Sequence, residues 1–207
     1  MAKHFDMAET LRVRLTFTEE VLGQSPSSKK LYEEFIASKA PDAMTTEDEI
    51  EAYGVDKVME NSTTIFNRDE DGQPFLYDYQ IKGFFKDSCG GLRKAQGTAS
   101  SRIKAYKKDI DRLIFPAPRR IPFENYGEIG RCQRPKRTSS PQGEFSSLAI
   151  SEEIAPGATL TFTISMFSAD YEAAVREWLD YGRFSGLGQW RNSGKGRFTW
   201  EELPLEG

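Results

Sequence analysis

The 207-residue sequence contains one histidine, two cysteines and no long apolar run. His4 lies near the N-terminus, and Cys89 and Cys132 form no CxxC pair, so we expect neither a metal site nor a disulfide framework. No stretch of about 18 apolar residues is present, and the first residues lack the apolar segment of a secretory signal. These absences predict a cytoplasmic protein without a membrane span, a bound metal or a cofactor.

Charged residues make up 29% of the chain, and the net charge of −4 argues against a general nucleic-acid binder. The two signs are unevenly distributed, however. Residues 19–80 carry fifteen acids and five bases, whereas residues 82–137 carry fifteen bases and five acids. This asymmetry can create a basic face for nucleic acid, pair copies of the chain head to tail, or cancel within one fold.

The hydrophobic pattern indicates both strands and helices. Alternating apolar residues over Leu11–Thr18 and Thr159–Phe167 predict half-buried strands. Two helical patterns over residues 26–61, the second of them rich in acids, predict an acidic helical insertion, and residues 97–143 read as a basic loop or arm region. The order of elements predicts a single α+β domain over residues 1–207 with an antiparallel sheet.

Further expectations concern shorter segments and single residues. Asp111–Phe115 is predicted to be a strand, and Asp170–Tyr181 an amphipathic helix whose Trp178 faces the core. Cys89 is expected to be a small buried residue rather than a reactive thiol. Strand alternation predicts that Trp200 and Phe198 point to the same side and that both belong to the core.

Residues 182–200 form a glycine-rich segment in which five glycines are interleaved with four cationic and four aromatic side chains. Glycine permits positive φ and close backbone approach, and successive N–H groups in such loops can bind an anion. Cations and aromatic rings add charge and faces for base stacking, for which Trp190 is the best candidate. The segment therefore reads either as a phosphate- or nucleic-acid-contacting loop or as a glycine-rich hairpin that closes a sheet edge.

Three motifs in the same order resemble one family. They are the leading strand Leu11–Thr18, the helix start Ile81-Lys-Gly-Phe-Phe-Lys-Asp-Ser-Cys-Gly-Gly-Leu-Arg93, and Glu153-Ile-Ala-Pro-Gly-Ala-Thr159 followed by a terminal glycine-rich loop. This combination resembles the repeat-associated mysterious protein (RAMP) superfamily, especially the backbone subunits of CRISPR effector complexes. Phe84 and Phe85 stand where that family has paired serines, and Lys82 stands where it has a proline.

The resemblance implies a ferredoxin-like (RRM-like) antiparallel sheet that holds RNA by its backbone. Matched by position, the residues near RNA phosphates would be Gly83, Lys86 and Arg93. The glycine-rich loop would comprise Gly186, Gly188, Ser193, Gly194, Lys195, Gly196 and Arg197. The sequence shows no counterpart of the catalytic aspartate loop found in some of these subunits, and His4 is badly placed for RNA processing, so we expect no enzymatic activity.

Three functional hypotheses follow. The first is a non-catalytic RNA- or nucleotide-binding protein that assembles with copies of itself or with CRISPR-type partners in antiviral defence. Trp190 would stack on a base. The phosphate-binding cations would be Arg191 together with Lys82, Lys86, Arg93, Lys94, Arg102, Lys104, Lys107, Lys108, Arg131, Arg134, Lys136 and Arg137.

The second hypothesis is a virus-encoded anti-defence protein that sequesters a small nucleotide signal or inhibits a defence complex. The third is a metal-independent endoribonuclease, for which the acid–base candidates are Asp87, Asp109, Asp111, Tyr126 and Glu128. No pair of these candidates has a diagnostic spacing.

Overall fold

The structure is a computed structural model that describes residues 9–26, 63–140 and 143–205, with the backbone alone at residues 26, 136–140 and 143–148. Its strands are β1 (Thr10–Phe17), β2 (Val21–Leu22), β3 (Ser25–Pro26), β4 (Thr63–Ile65), β5 (Asn67–Arg68), β6 (Pro74–Tyr77), β7 (Ile114–Ala117), β8 (Arg120–Glu124), β9 (Gly130–Ser140), β10 (Gly143–Ile154), β11 (Thr159–Met166) and β12 (Phe198–Leu203). Its α-helices are α1 (Asp78–Leu92), α2 (Tyr106–Leu113) and α3 (Glu172–Ser185). Short 3₁₀ helices lie at Ser100–Arg102, Ala169–Tyr171 and Arg191–Ser193.

Most of the strands belong to a seven-stranded sheet in the order β12-β1-β11-β8-β6-β5, with β7 also paired to β11. Every pair in this sheet is antiparallel. The predicted α+β class with an antiparallel sheet is thus confirmed. A second, five-stranded sheet follows the order β2-β10-β4-β3, with β9 along β10, and β4 runs parallel to β10 within it.

Strand β1 buries one of its two faces, as the alternation in its sequence predicts. Leu11, Val13, Leu15 and Phe17 are buried, whereas the residues between them are only partly covered. The polar face of β1 includes Arg14, which forms an ion pair of 3.0 Å with a glutamate of β12. The strand predicted from this alternation is therefore confirmed within one residue at each end.

Helices α1 and α3 pack their apolar stripes into the same core as β1 and β11. Phe85 of α1 and Trp178 of α3 are fully buried, and their ring centroids lie 5.4 Å apart. Phe84 contacts Phe198 of β12 at 5.2 Å between ring centroids. The predictions that Trp178, Phe198 and Cys89 are buried are confirmed, whereas Trp200 is only partly buried against this core.

The segment predicted to be a strand at Asp111–Phe115 is mostly helical instead. Helix α2 continues to Leu113, and strand β7 begins only at Ile114. Tyr106, Ile110 and Leu113 recur at helical spacing, and Ile110 is completely buried. That spacing outweighs the strand propensity of the apolar run that follows it.

The helix predicted at Asp170–Tyr181 is also placed too early. A 3₁₀ turn occupies Ala169–Tyr171, and α3 extends to Ser185. The prediction of helices over residues 26–61 lies outside the described residues. The described part of the basic region 97–143 contains a 3₁₀ helix, α2 and strands β7 to β9.

Two helical glycines respond differently to an added methyl group, which gives a test of the packing. A Cβ on Gly182 would lie 2.2 Å from the buried ring of Phe198, whereas a Cβ on Gly83 would meet nothing within 4 Å. We expect Gly182→Ala to lower the free energy of unfolding by about 1–3 kcal/mol through overpacking. Gly83→Ala should raise it by about 0.5–1 kcal/mol, because alanine favours a helix over glycine. Urea unfolding followed by tryptophan fluorescence measures both; shifts in the same direction would contradict this packing.

Candidate nucleic-acid interface

The glycine-rich loop joins α3 to β12 and crosses over itself at very short range. Gly186 and Gly196 both have φ of +72°. A Cβ on Gly196 would lie 1.7 Å from the carbonyl oxygen of Leu187, and a Cβ on Gly186 would lie 2.5 Å from the carbonyl carbon of Gly196. These two positions require glycine because the backbone segments touch there and because φ is positive.

Five N–H groups of the loop are already used inside the chain. The Leu187 N–H donates to Gly196 O at 2.8 Å, and the Gly196 N–H donates to Glu20 O at 2.7 Å. The N–H groups of Gly186, Ser193 and Gly194 also donate to backbone carbonyls. These five groups are therefore not available for the anion-binding nest that the sequence predicted.

Lys195 fastens the loop to two other segments. Its Nζ lies 3.0 Å from Glu20 Oε2 and 3.3 Å from Glu153 Oε2. Burial works against the charge of Lys195, but the hydrogen bonds and the attraction of the two carboxylates outweigh it and raise its pKa. The cation predicted to bind phosphate is thus engaged by two acids of the chain itself.

A cleft of about 150 Å³ lies between α1 and the glycine-rich loop. Its lining residues are Gln24, Leu76, Gln80, Gly83, Phe84, Asp87, Leu187, Gly188 and Arg191. Leu76, Phe84 and Leu187 are buried and supply an apolar lining. Across the cleft, Arg191 Nη1 lies 2.7 Å from Asp87 Oδ2. The fold therefore brings the predicted residues Gly83, Gly188 and Arg191 together at one site.

Trp190 stands beside this cleft in a strained backbone conformation. Its φ is 56°, which is uncommon for a bulky residue, and its side chain is 41% exposed. The Arg134 guanidinium carbon lies 5.1 Å from the Trp190 ring centroid, and Arg134 Nη2 donates to Gln189 Oε1 at 2.8 Å. Arg134 Nη1 is buried and has no hydrogen-bond partner among the described residues. The predicted stacking residue and a predicted cation of β9 thus form one platform.

A second group of predicted cations is exposed where α1 ends and α2 begins. Its members are Arg93, Lys94, Arg102, Lys104, Lys107 and Lys108. The Arg93 guanidinium carbon lies 5.2 Å from the ring centroid of Tyr106. We call this group the basic cluster.

The turn that carries part of the basic cluster is held by a carboxylate of α3. Glu177 accepts hydrogen bonds from the N–H groups of Ala99 at 2.6 Å and Ser100 at 3.1 Å, and another from the Ser100 hydroxyl. The Trp178 indole donates to the same Ser100 oxygen at 2.9 Å. The core thereby fixes the position of the turn leading to Arg102.

Lys82 and Lys86 face α2 and β7. Lys86 Nζ lies 2.6 Å from Asp111 Oδ1, and Lys82 Nζ donates to the Asp111 carbonyl oxygen at 3.1 Å. Lys82 also lies 4.4 Å from the ring centroid of Phe115, and burial lowers its pKa. The structure therefore does not bring these two lysines to the Trp190 platform, although the helix that carries them lines the cleft.

The remaining predicted cations lie elsewhere. Arg131 on β9 and Arg197 before β12 are exposed. Lys136 and Arg137 lie in the part of β9 for which the backbone alone is described.

Sequence reasoning missed several residues of the cleft. Gln24 and Gln80 come from segments far apart in the chain, and no local pattern connects them to the glycine-rich loop. Asp87 was considered only as an acid–base candidate, whereas it pairs with Arg191. No helix in the described part of the chain is long and apolar enough to span a membrane. Residues 9–26, 63–140 and 143–205 contain no group of three or more His, Cys, Asp or Glu that could hold a metal ion.

No protein-family model matches this sequence, and no curated protein sequence matches it. The solved structures that are similar to this chain include two from CRISPR complexes. One is a chain in the cryo-EM structure of the type III-B Cmr-beta complex bound to cognate target RNA, with a TM-score of 0.53, 13% sequence identity and 97% of this chain covered. The other is a chain of a type IV-B CRISPR complex, with a TM-score of 0.45, 11% identity, 96% of this chain covered and 93% of that chain.

The protein spans 60% of the Cmr-beta chain. At this level of identity the likeness concerns the fold alone. The chain thus has a fold similar to that of a chain in the Cmr-beta complex, although the two sequences are only 13% identical.

Proposed function

We propose that the protein is a non-catalytic RNA-binding protein of the RAMP type that works within a CRISPR-type assembly. The observation that carries this proposal is the convergence of Trp190, Arg134, Arg191 and the cleft beside α1. An exposed aromatic ring next to guanidinium groups is the arrangement that single-stranded nucleic acid uses for stacking and charge neutralisation. The Cmr-beta complex, whose subunit has a similar fold, was solved with target RNA bound.

A ferredoxin-like core is part of this proposal. The strand order β12-β1-β11-β7 is supported by pairings that are all antiparallel. Along the chain the elements β1, α1, β7, β11, α3 and β12 follow the sequence strand–helix–strand–strand–helix–strand. Both helices pack into the core with β1 and β11. These features are those expected of the fold that the RAMP resemblance implies.

The cations of the interface divide into two kinds. Lys86, Lys195 and Arg191 are each within 3.3 Å of a carboxylate, so their charge is largely compensated within the chain. The basic cluster, together with Arg131 and Arg197, is exposed. We propose that this exposed set neutralises most of the RNA phosphates, because each phosphate neutralised releases counterions.

The size of the cleft favours RNA over a sequestered small nucleotide. Pockets that bury most of a drug-sized ligand have volumes of about 300–1,000 Å³. The cleft of about 150 Å³ is too small to enclose a whole nucleotide. A longer strand could instead lie across the exposed surface and use the cleft for one of its parts.

A non-catalytic role is supported by the partners of two acid–base candidates. Asp87 of α1 pairs with Arg191 on the glycine-rich loop. Asp111 of α2 pairs with Lys86, which lies on a different face of α1. Carboxylates that are engaged separately in ion pairs do not form the cooperating acid and base that general catalysis requires.

The proposed phosphate contacts predict a salt-dependent affinity. We expect the protein to bind a single-stranded RNA of about 20 nucleotides and the logarithm of the affinity to fall linearly with the logarithm of salt concentration. The double variant Lys107→Ala/Lys108→Ala should reduce that slope by about 1.4, since each single-strand contact contributes about 0.7. Fluorescence anisotropy at several salt concentrations measures the slope. The control Arg14→Ala, on the sheet face and paired with Glu201, should change it little; an equal loss in both would contradict the assignment.

The stacking role of Trp190 predicts a large effect from one substitution. Trp190→Ala should weaken RNA binding by about 5- to 150-fold, because base–aromatic stacking contributes about 1–3 kcal/mol per base. Phe184 is a matched control, since it is also an exposed aromatic residue but lies at the end of α3. Phe184→Ala should stay within about twofold of the unaltered protein. Equal losses in the two variants would assign the effect to general surface hydrophobicity.

The absence of nuclease activity is tested directly. Labelled RNA incubated with excess protein, with and without divalent cations, should be recovered at full length on a denaturing gel. Cleavage that Tyr126→Phe abolishes would show an endoribonuclease and would contradict the non-catalytic assignment.

A further inference from the structure

The cleft between α1 and the glycine-rich loop has a glycine, Gly83, in its wall, and no packing contact requires glycine at this position. Gly83 lies inside α1, where glycine costs about 0.5–1 kcal/mol relative to alanine. Elsewhere a helical glycine makes room for a neighbour, as Gly182 does for Phe198. At Gly83 a Cβ would meet nothing within 4 Å, so the missing side chain leaves space in the cleft itself.

The charges around this space cancel. Among the described residues, the charged groups that line the cleft are the guanidinium of Arg191 and the carboxylate of Asp87, and they lie 2.7 Å apart. A phosphate placed there would be attracted by one group and repelled by the other at similar range. The cleft therefore suits a neutral polar ligand rather than an anion, in contrast to the exposed basic cluster.

The polar groups of the cleft define the hydrogen-bonding pattern of that ligand. Gln80 Oε1 accepts the Tyr77 N–H at 2.7 Å, and Gln80 Nε2 donates to Gln24 Oε1. Gln24 Oε1 is thereby occupied, so the group that Gln24 can offer to a ligand is its amide NH₂. Asp87 supplies acceptor sites, because a carboxylate has about four lone pairs and the recorded contact with Arg191 uses one of its oxygens.

The apolar lining completes the site. Leu76, Phe84 and Leu187 line the cleft beside these polar groups with the small part of their surface that stays exposed. The volume of about 150 Å³ accommodates a ring system but not the sugar and phosphate that would accompany it.

We propose that this cleft receives one unstacked base of the bound RNA and that it prefers guanine. Guanine presents two adjacent N–H groups, at N1 and N2, toward a carboxylate, and its O6 accepts from an amide donor. Uracil has a carbonyl acceptor but only one N–H group. Adenine has neither the adjacent pair of N–H groups nor the carbonyl, and cytosine has a different order of donors and acceptors. The inference rests on the RNA-binding function proposed above and adds a base preference to it.

The test compares RNAs that differ at one position. The probes are labelled oligo-uridine strands of about 20 nucleotides whose central residue is guanosine, adenosine, cytidine, uridine or an abasic unit. We expect the guanosine probe to bind on the order of tenfold more tightly than the abasic probe, in the range that a well-placed base contact provides. Binding is measured by fluorescence anisotropy at fixed salt concentration.

Two variants test whether the cleft causes the preference. Gly83→Leu places a helix-forming side chain in the open wall, and the ratio of guanosine to abasic affinity should fall to about one. Asp87→Asn replaces part of the acceptor set by donors and should also remove the preference for guanosine. Urea unfolding of both variants verifies that they are folded.

The outcomes separate the inference from the proposed function. Binding of all five probes with equal affinity, or an undiminished guanosine preference in folded Gly83→Leu protein, would overturn the base site while leaving RNA binding intact. Failure of the unaltered protein to bind any probe at low salt would overturn the proposed function and the base site together.

Discussion

The self-crossing of the glycine-rich loop is the constraint on which the candidate site depends. Gly196 can approach Leu187 only because it has no side chain, and the two residues are joined by a hydrogen bond of 2.8 Å between Leu187 N–H and Gly196 O. A further hydrogen bond from Gly196 to Glu20, together with the ion pairs of Lys195, holds the crossing against the turn that follows β1. Because both ends are fixed, the intervening segment displays Trp190 outward despite its strained φ.

This constraint separates two kinds of chemistry on one surface. Inside the cleft, Arg191 and Asp87 neutralise each other beside an apolar lining. Away from it, the exposed lysines and arginines near the end of α1 form no ion pair with an acid among the residues that the structure describes. The net negative charge of the whole chain is compatible with such a surface because local, not total, charge sets the attraction at short range.

The sequence predicted those features that a single segment encodes. The alternation in β1 and β11 placed both strands within one residue, and helical spacing placed Trp178 in the core. The same spacing rule explains the error at α2, where Tyr106, Ile110 and Leu113 define a helix but a following apolar run suggested a strand. The N–H groups of the glycine-rich loop were assigned to an anion, whereas five of them donate to backbone carbonyls of the chain.

The sequence by itself determined strands β1 and β11, the burial of Trp178 and the segment in which glycine is indispensable, because periodicity and backbone freedom are local properties. Only the tertiary structure decided which cations remain available. Lys195 and Lys86 look as suitable for phosphate as Lys107 does, yet the fold brings Glu20 and Asp111 to the first two. Likewise, the cleft is lined by residues from β6, α1, the glycine-rich loop and Gln24, whose proximity depends on how the helices pack on the sheet. Ion pairing and cavity shape depend on distances through space, and no local pattern in the chain records them.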